Sequence, residues 1–186
     1  MGDPHAVVLV EGASDENAVR TLARRRGRDL DAEGVAIVAM GGATNIATFL
    51  RRFGPHGLDL ELAGLCDVRE QGSFRRGLER AGLGTARTRA EMEALGFFVC
   101  VVDLEDELIR ALGPPAVEAI VLAEGEHGKW STFRKQSAQR ERPVDAQLRR
   151  FLGTKSGRKI RYGGLLVEAL DLDRVPEPLE RVLARV

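Results

Sequence analysis

The 186-residue chain carries 28 basic and 28 acidic side chains, so its formal net charge of zero announces neither nucleic acid nor an acidic partner. Its 44% hydrophobic content is ordinary for a globular protein, at a length that fits one domain or one domain with a modest appendage. No run approaches the ~18 apolar residues of a membrane span, and Met1–His5 lacks a signal-peptide layout. The expectation is therefore a cytoplasmic protein without membrane association, its two cysteines, Cys66 and Cys100, serving as small core residues.

In chain order, Ala6–Val10 reads as a buried strand, and Ser14 or Asp15 caps a helix over Glu16–Arg26. Val35–Met40 is a second strand, turned by Gly41-Gly42-Ala43-Thr44-Asn45 into a short helix over Ile46–Phe53. Leu60–Cys66 is a third strand with a helix over Ser73–Ala81, and Gly96–Val102 a fourth with a helix over Glu105–Leu112. Alternating strand and helix imply a mostly parallel sheet with helices on both faces. Gly113-Pro114-Pro115 ends the pattern, which predicts an α/β domain over 1–113 and a helical extension over 114–186 packed on it. Helices are expected there at Ala116–Ala123, Ser131–Ala138, Val144–Phe151, Tyr162–Leu170 and Pro178–Ala184.

Acidic residues stand where apolar strand runs give way to helices. Glu11 and Asp15 follow the first strand, with Gly12 read as permitting a tight turn; Asp67 ends the third, and Asp103-Leu104-Glu105 follows the fourth. Carboxyl ends of parallel strands converge on one crevice, so these acids are expected to meet there. Clustered carboxylates repel unless cations fill the site, and Mg²⁺ or Mn²⁺ prefers oxygen ligands. Asp106 and Glu107 read as solvated first-turn acids. The Gly41–Asn45 turn reads as a plain turn with a Thr or Asn cap, and the aromatics Trp130, Phe133 and Tyr162 as core. Basic residues concentrate in Arg24–Arg28 and across Lys129–Arg161; only four are lysine. Gly125-Glu126-His127-Gly128-Lys129 lacks P-loop spacing.

Taken together, Val8-Leu9-Val10-Glu11-Gly12-Ala13-Ser14-Asp15, Val38-Ala39-Met40-Gly41-Gly42 with Asn45, Cys66-Asp67, Val102–Leu108 and the basic Lys155–Arg161 resemble the Toprim domain of the OLD (overcoming lysogenization defect) nucleases. The resemblance implies a Toprim α/β fold and Mg²⁺- or Mn²⁺-dependent hydrolysis of DNA with one or two ions. Glu11, Asp15, Asp67, Asp103 and Glu105 would hold metal, with Glu11 and Lys159 catalytic, and Arg149, Arg150, Lys155, Arg158 and Arg161 would follow the DNA backbone. Arg69 stands where the wider Toprim family carries a second carboxylate, a place Glu70 or Glu105 would have to fill. The implied partners are DNA and a separate ATPase subunit. The alternatives are a non-catalytic DNA- or partner-binding module with a degenerate second metal site, or a Toprim ribonuclease.

Overall fold

The computed structural model describes residues 3–186; the N-terminal expectation touches Met1 and Gly2, which lie outside them. Four strands, β1 (Ala6–Val10), β2 (Val35–Ala39), β3 (Glu61–Asp67) and β4 (Phe97–Cys100), form one sheet in the order β2-β1-β3-β4. Every pairing is parallel, with Val10 opposite Ala39, Leu9 opposite Gly64 and Asp67 opposite Cys100. The expected parallel four-stranded α/β sheet is therefore present. Because side chains alternate across a strand, Val8, Val10, Ala63, Leu65, Phe98 and Cys100 enter one core and Val7, Leu9, Leu62, Cys66, Phe97 and Val99 the other. Both cysteines are buried free thiols.

The second core is covered by α2 (Ile46–Phe53), α3 (Gln71–Arg80) and α4 (Arg89–Ala94). The first is covered by α1 (Ala13–Arg25), α5 (Leu104–Leu112), α6 (Pro114–Ala123), α7 (His127–Lys135), α8 (Val144–Leu152), α9 (Ser156–Ala169) and α10 (Glu177–Ala184). That core runs without a break across Gly113, from Val8 to Leu166.

Several elements differ from expectation, and α1 begins at Ala13 with Gly12 as its N-cap rather than after a Ser14 or Asp15 cap. The helix α4 was not anticipated, although Thr88 and Glu91 form a capping box: the Glu91 N–H donates to Thr88 Oγ1 at 3.2 Å and the Thr88 N–H to Glu91 Oε2 at 3.1 Å. The helix α7 begins at His127 rather than Ser131. The helix α9 begins at Ser156, six residues before the expected Tyr162, because Gly157, Gly163 and Gly164 weaken the apolar periodicity that marks a helix.

Arginine carbonyl contacts bind the last helices to α1. Arg25 Nη1 donates to the carbonyls of Val167 and Leu170 at 2.7 Å each, satisfying the open end of α9. Arg26 Nη2 reaches the Leu172 carbonyl at 2.8 Å and Arg28 Nη1 the Leu183 carbonyl at 2.6 Å. Within the basic run, Arg25, Arg26 and Arg28 thus act as a clamp. A second hub centres on Glu126, which accepts from Arg158 Nε at 3.0 Å and Nη2 at 2.9 Å, from Arg161 Nη2 at 3.1 Å and from the Tyr162 hydroxyl at 3.2 Å. Arg158 also lies 4.0 Å from the Phe151 ring centroid.

Hydrogen bonding from Arg158 lowers the Glu126 carboxyl to about 2. A lowered folded-state pKa contributes stability above the unfolded value near 4.5, and that contribution is lost as pH falls through 2. Glu126→Ala, which strands the buried Arg158 charge, should cost about 3 kcal/mol in urea unfolding at neutral pH. The stability gap between the natural chain and Glu126→Gln should be full above pH 4.5 and shrink toward pH 2. A gap independent of pH would contradict this.

Candidate acidic active site

The strand order puts the site between β1 and β3. The helix after β1 packs on one face of the sheet and the helix after β3 on the other, which opens a crevice at the carboxyl edge. Glu11 leaves β1 at that edge and Asp67 ends β3 there, while Asp103 caps α5 after β4.

The backbone around Glu11 is held by its neighbours. The Gly42 N–H donates to the Glu11 carbonyl at 3.1 Å, from a turn in which Gly41 and Gly42 have φ of 70° and 125°, a region that favours glycine. Asn45 serves that turn by donating from Nδ2 to the Met40 carbonyl at 2.9 Å instead of capping α2. Gly12 departs from expectation: its φ of −149° is extended backbone, and an added Cβ would meet nothing within 4 Å. No glycine is sterically required there. The Gly12 N–H instead donates to Asp15 Oδ2 at 3.0 Å, turning that carboxylate back toward Glu11.

Five sequence-predicted acids and one more share this edge. Burial first, then the charge of Glu70, raises the Glu11 carboxyl, to which Glu105 and Asp103 add. Burial and Glu105 push Asp15 up to about 7, and burial and Glu11 push Asp67 up to about 7. Arg69 is exposed, whereas Glu70, half-buried one turn beyond Asp67, contributes charge to the cluster. The signal for Glu70 was its spacing of three from Asp67, enough for one turn to bring both acids to the same side. Glu107 is buried rather than solvated; its Oε1 accepts from the Val101 N–H at 2.7 Å.

Cations reach the cluster from the helical half of the chain. Lys159 Nζ lies 3.3 Å from Glu105 Oε2, and Arg149 Nε donates to Asp103 Oδ2 at 2.6 Å. Glu105 is 4% exposed, and its Oε1 is 2.8 Å from Ser14 Oγ, whose one proton serves that carboxylate with the Lys159 carbonyl at 3.1 Å as alternate acceptor. Lys159 sits here because α9 lies almost against α1: a Cβ on Gly163 would come within 2.6 Å of the Ser14 carbonyl, and one on Gly164 within 2.7 Å of Asn17 Nδ2. Asn17 Nδ2 donates to the Ile160 carbonyl at 2.9 Å, holding the register.

The predicted basic residues separate. Arg149 joins the acids, Arg150 and Lys155 are exposed, and Arg161 pairs with Glu124 and Glu126 while half exposed. Arg158 is 7% exposed and committed to Glu126 and Phe151, so it does not offer a surface to DNA. Glu126, 32 residues away, and the Phe151 ring bury it. Trp130 and Tyr162 are core side chains, and Phe133 stacks partly buried on Trp130. Among the described residues, no three His, Cys, Asp or Glu side chains form a ready-made metal cage. The acids share an edge without closing on one point, and Arg149 and Lys159 hold two of them.

The parallel sheet thus carries acids at the ends of β1 and β3 and an Asp-x-Glu after β4. Residues 5–68 match the family model for the overcoming lysogenization defect protein-like Toprim domain, a stretch that holds Glu11, Asp15, the Gly41-Gly42 turn and Asp67. The chain is similar in structure to the C-terminal region of the Xanthomonas campestris pv. campestris OLD protein, with a TM-score of 0.78, 20% identity and coverage of 98% of this chain and 92% of that one. It is similar also to the C-terminal region of the Burkholderia pseudomallei OLD protein, with a TM-score of 0.72, 18% identity and coverage of 98% and 96%. No curated protein matches the chain in sequence. The chain thus has the fold of OLD C-terminal regions, and its residues 5–68 are similar to an OLD-like Toprim domain.

Two outcomes follow for this site. Gly163→Ala should destabilise the protein by about 1–3 kcal/mol by forcing α9 off α1, whereas Gly157→Ala, with open space around it, should be neutral or slightly stabilising in thermal melts. Raised carboxyl pKa values work against the folded state as pH rises: the unfolded chain loses its protons near pH 4 while Asp15 and Asp67 hold theirs to about 7. Stability in EDTA should fall between pH 4 and 7, and Asp67→Asn should flatten that decline. A parallel decline in the variant would remove Asp67 as its source.

Proposed function

We propose that the crevice hydrolyses DNA phosphodiesters with the help of divalent cations, residues 1–113 forming the Toprim unit and 114–186 its helical cover. The observation that carries this reading is the pairing of an undercompensated, all-oxygen acidic cluster with a lysine delivered to it from a separate helix. Asp15 and Asp67, held partly protonated near neutrality, mark negative charge that a hard cation would relieve. Glu11, Asp15 and Asp67 would hold one ion, and Asp103 and Glu105 would contribute to another. Bound Mg²⁺ or Mn²⁺ supplies an activated water and neutralises charge on the leaving oxygen.

Lys159 lies at the rim of the cluster with its ammonium on Glu105, where it can meet charge developing on a phosphate at the carboxylates. Arg150 and Lys155 are exposed near it and can follow the DNA backbone, with Arg161 as a further contact. Nothing in this set reads base edges, so binding should be sequence-tolerant. A separate ATPase subunit would supply any nucleotide-driven step. A second reading, a non-catalytic DNA- or partner-binding module, is favoured by one observation: Asp103 and Glu105 are already paired with Arg149 and Lys159.

Incubation with plasmid DNA and Mg²⁺ or Mn²⁺ separates the two. Nicking should require the metal and be abolished in Glu11→Ala. Lys159→Ala should lower the rate by roughly 10²–10³-fold while DNA affinity in Ca²⁺ changes little. Binding without metal-dependent nicking would establish the non-catalytic module, and RNA cleaved in place of DNA would make the chain a ribonuclease.

A further inference from the structure

The carboxylates differ in what already occupies their oxygens. Asp103 Oδ1 accepts from the Asp106 N–H at 2.9 Å, capping α5, and its Oδ2 holds the Arg149 guanidinium, with Nε at 2.6 Å. Both oxygens are engaged. Among the described residues, Glu11 and Asp67 have no hydrogen-bond or ion-pair partner for their side chains. One side of the crevice is thus open to a cation, and the other is closed by arginine.

The two members of the closing pair are unequally free. Asp103 is 9% exposed and tied to the first turn of α5. The Arg149 side chain is 34% exposed and, with Arg150, Thr154 and Lys159, lines a cavity of about 470 Å³ beside Asp103 and Glu105. A guanidinium released into that cavity would meet any phosphate lying there, and its planar fork suits a phosphate as well as a carboxylate.

We propose that Arg149 gates Asp103: it occupies that carboxylate in the substrate-free protein and leaves it for a substrate phosphate in the cavity. This rests on the metal-dependent reading above. An ion on Glu11, Asp15 and Asp67 then binds without substrate, while an ion that uses Asp103 requires a phosphodiester in place or Arg149 removed. Metal and substrate binding are coupled reciprocally through one side chain.

The test counts Mn²⁺ bound to the full chain, without DNA, by electron paramagnetic resonance of the free ion. The natural chain should bind one ion, and Asp103→Asn, which keeps the helix cap, should leave that affinity within about twofold. Arg149→Met should acquire a second ion that is lost again in Arg149→Met/Asp103→Asn. Arg150→Met, which removes an equal charge from the same cavity without touching Asp103, should bind one. In Ca²⁺, Arg149→Met should also bind a short DNA duplex roughly tenfold more weakly, as expected for loss of a two-pronged phosphate contact. Asp103→Asn weakening the first ion would overturn the gate, as would one ion in a folded Arg149→Met or unchanged DNA affinity there. Should Arg149→Met fail to fold, the Asp103→Asn comparison in the natural background decides alone. No Mn²⁺ binding in the natural chain, or binding unchanged in Glu11→Ala, would instead sink the metal-dependent function itself.

Discussion

Burial of carboxylates, with their mutual repulsion added to it, governs this edge of the molecule. Glu11, Asp15, Asp67, Glu70, Asp103 and Glu105 act on one another across a partly buried crevice, where charges interact more strongly than in water. The free protein answers in three ways. Two acids hold protons to about pH 7, two more take cationic side chains, and a backbone N–H takes part of the charge of Asp15.

Delivery of Lys159 depends on backbone proximity rather than on charge. Its helix, α9, approaches α1 so closely that two glycines are needed where the helices touch, and side-chain amide and hydroxyl contacts from Asn17 and Ser14 hold the register at that point. At the far end of α1, Arg25 closes the carbonyls of α9. The helical half of the chain is consequently not a passive cover. It completes the core on one face of the sheet and places one cation on each arm of the Asp-x-Glu pair.

Arginine serves several physical ends here. Arg24–Arg28 closes helix ends, Arg158 is buried against Glu126 and Phe151, Arg149 holds Asp103, and Arg150 faces solvent. A guanidinium carries five donors on a flat, weakly hydrated group, which lets one residue type cap carbonyls, stack on rings and grip carboxylates. Counting arginines along a segment therefore overstates the charge available to DNA.

The chain by itself determined the strands, their parallel arrangement and the edge at which Glu11, Asp67 and Asp103 would stand, because apolar runs of strand length followed by helical spacing are local signals. The Gly41-Gly42 turn was legible for the same reason: its positive φ values favour glycine. Lys159 could be singled out as a rare lysine among arginines, but its contact with Glu105 could not. Only the tertiary structure decided that α9 starts early, that Glu70 adds its charge beside Glu11, that Arg158 is buried, and that Arg149 closes Asp103. Those outcomes depend on contacts between residues up to 145 positions apart, where packing and electrostatic complementarity choose partners that no local pattern records.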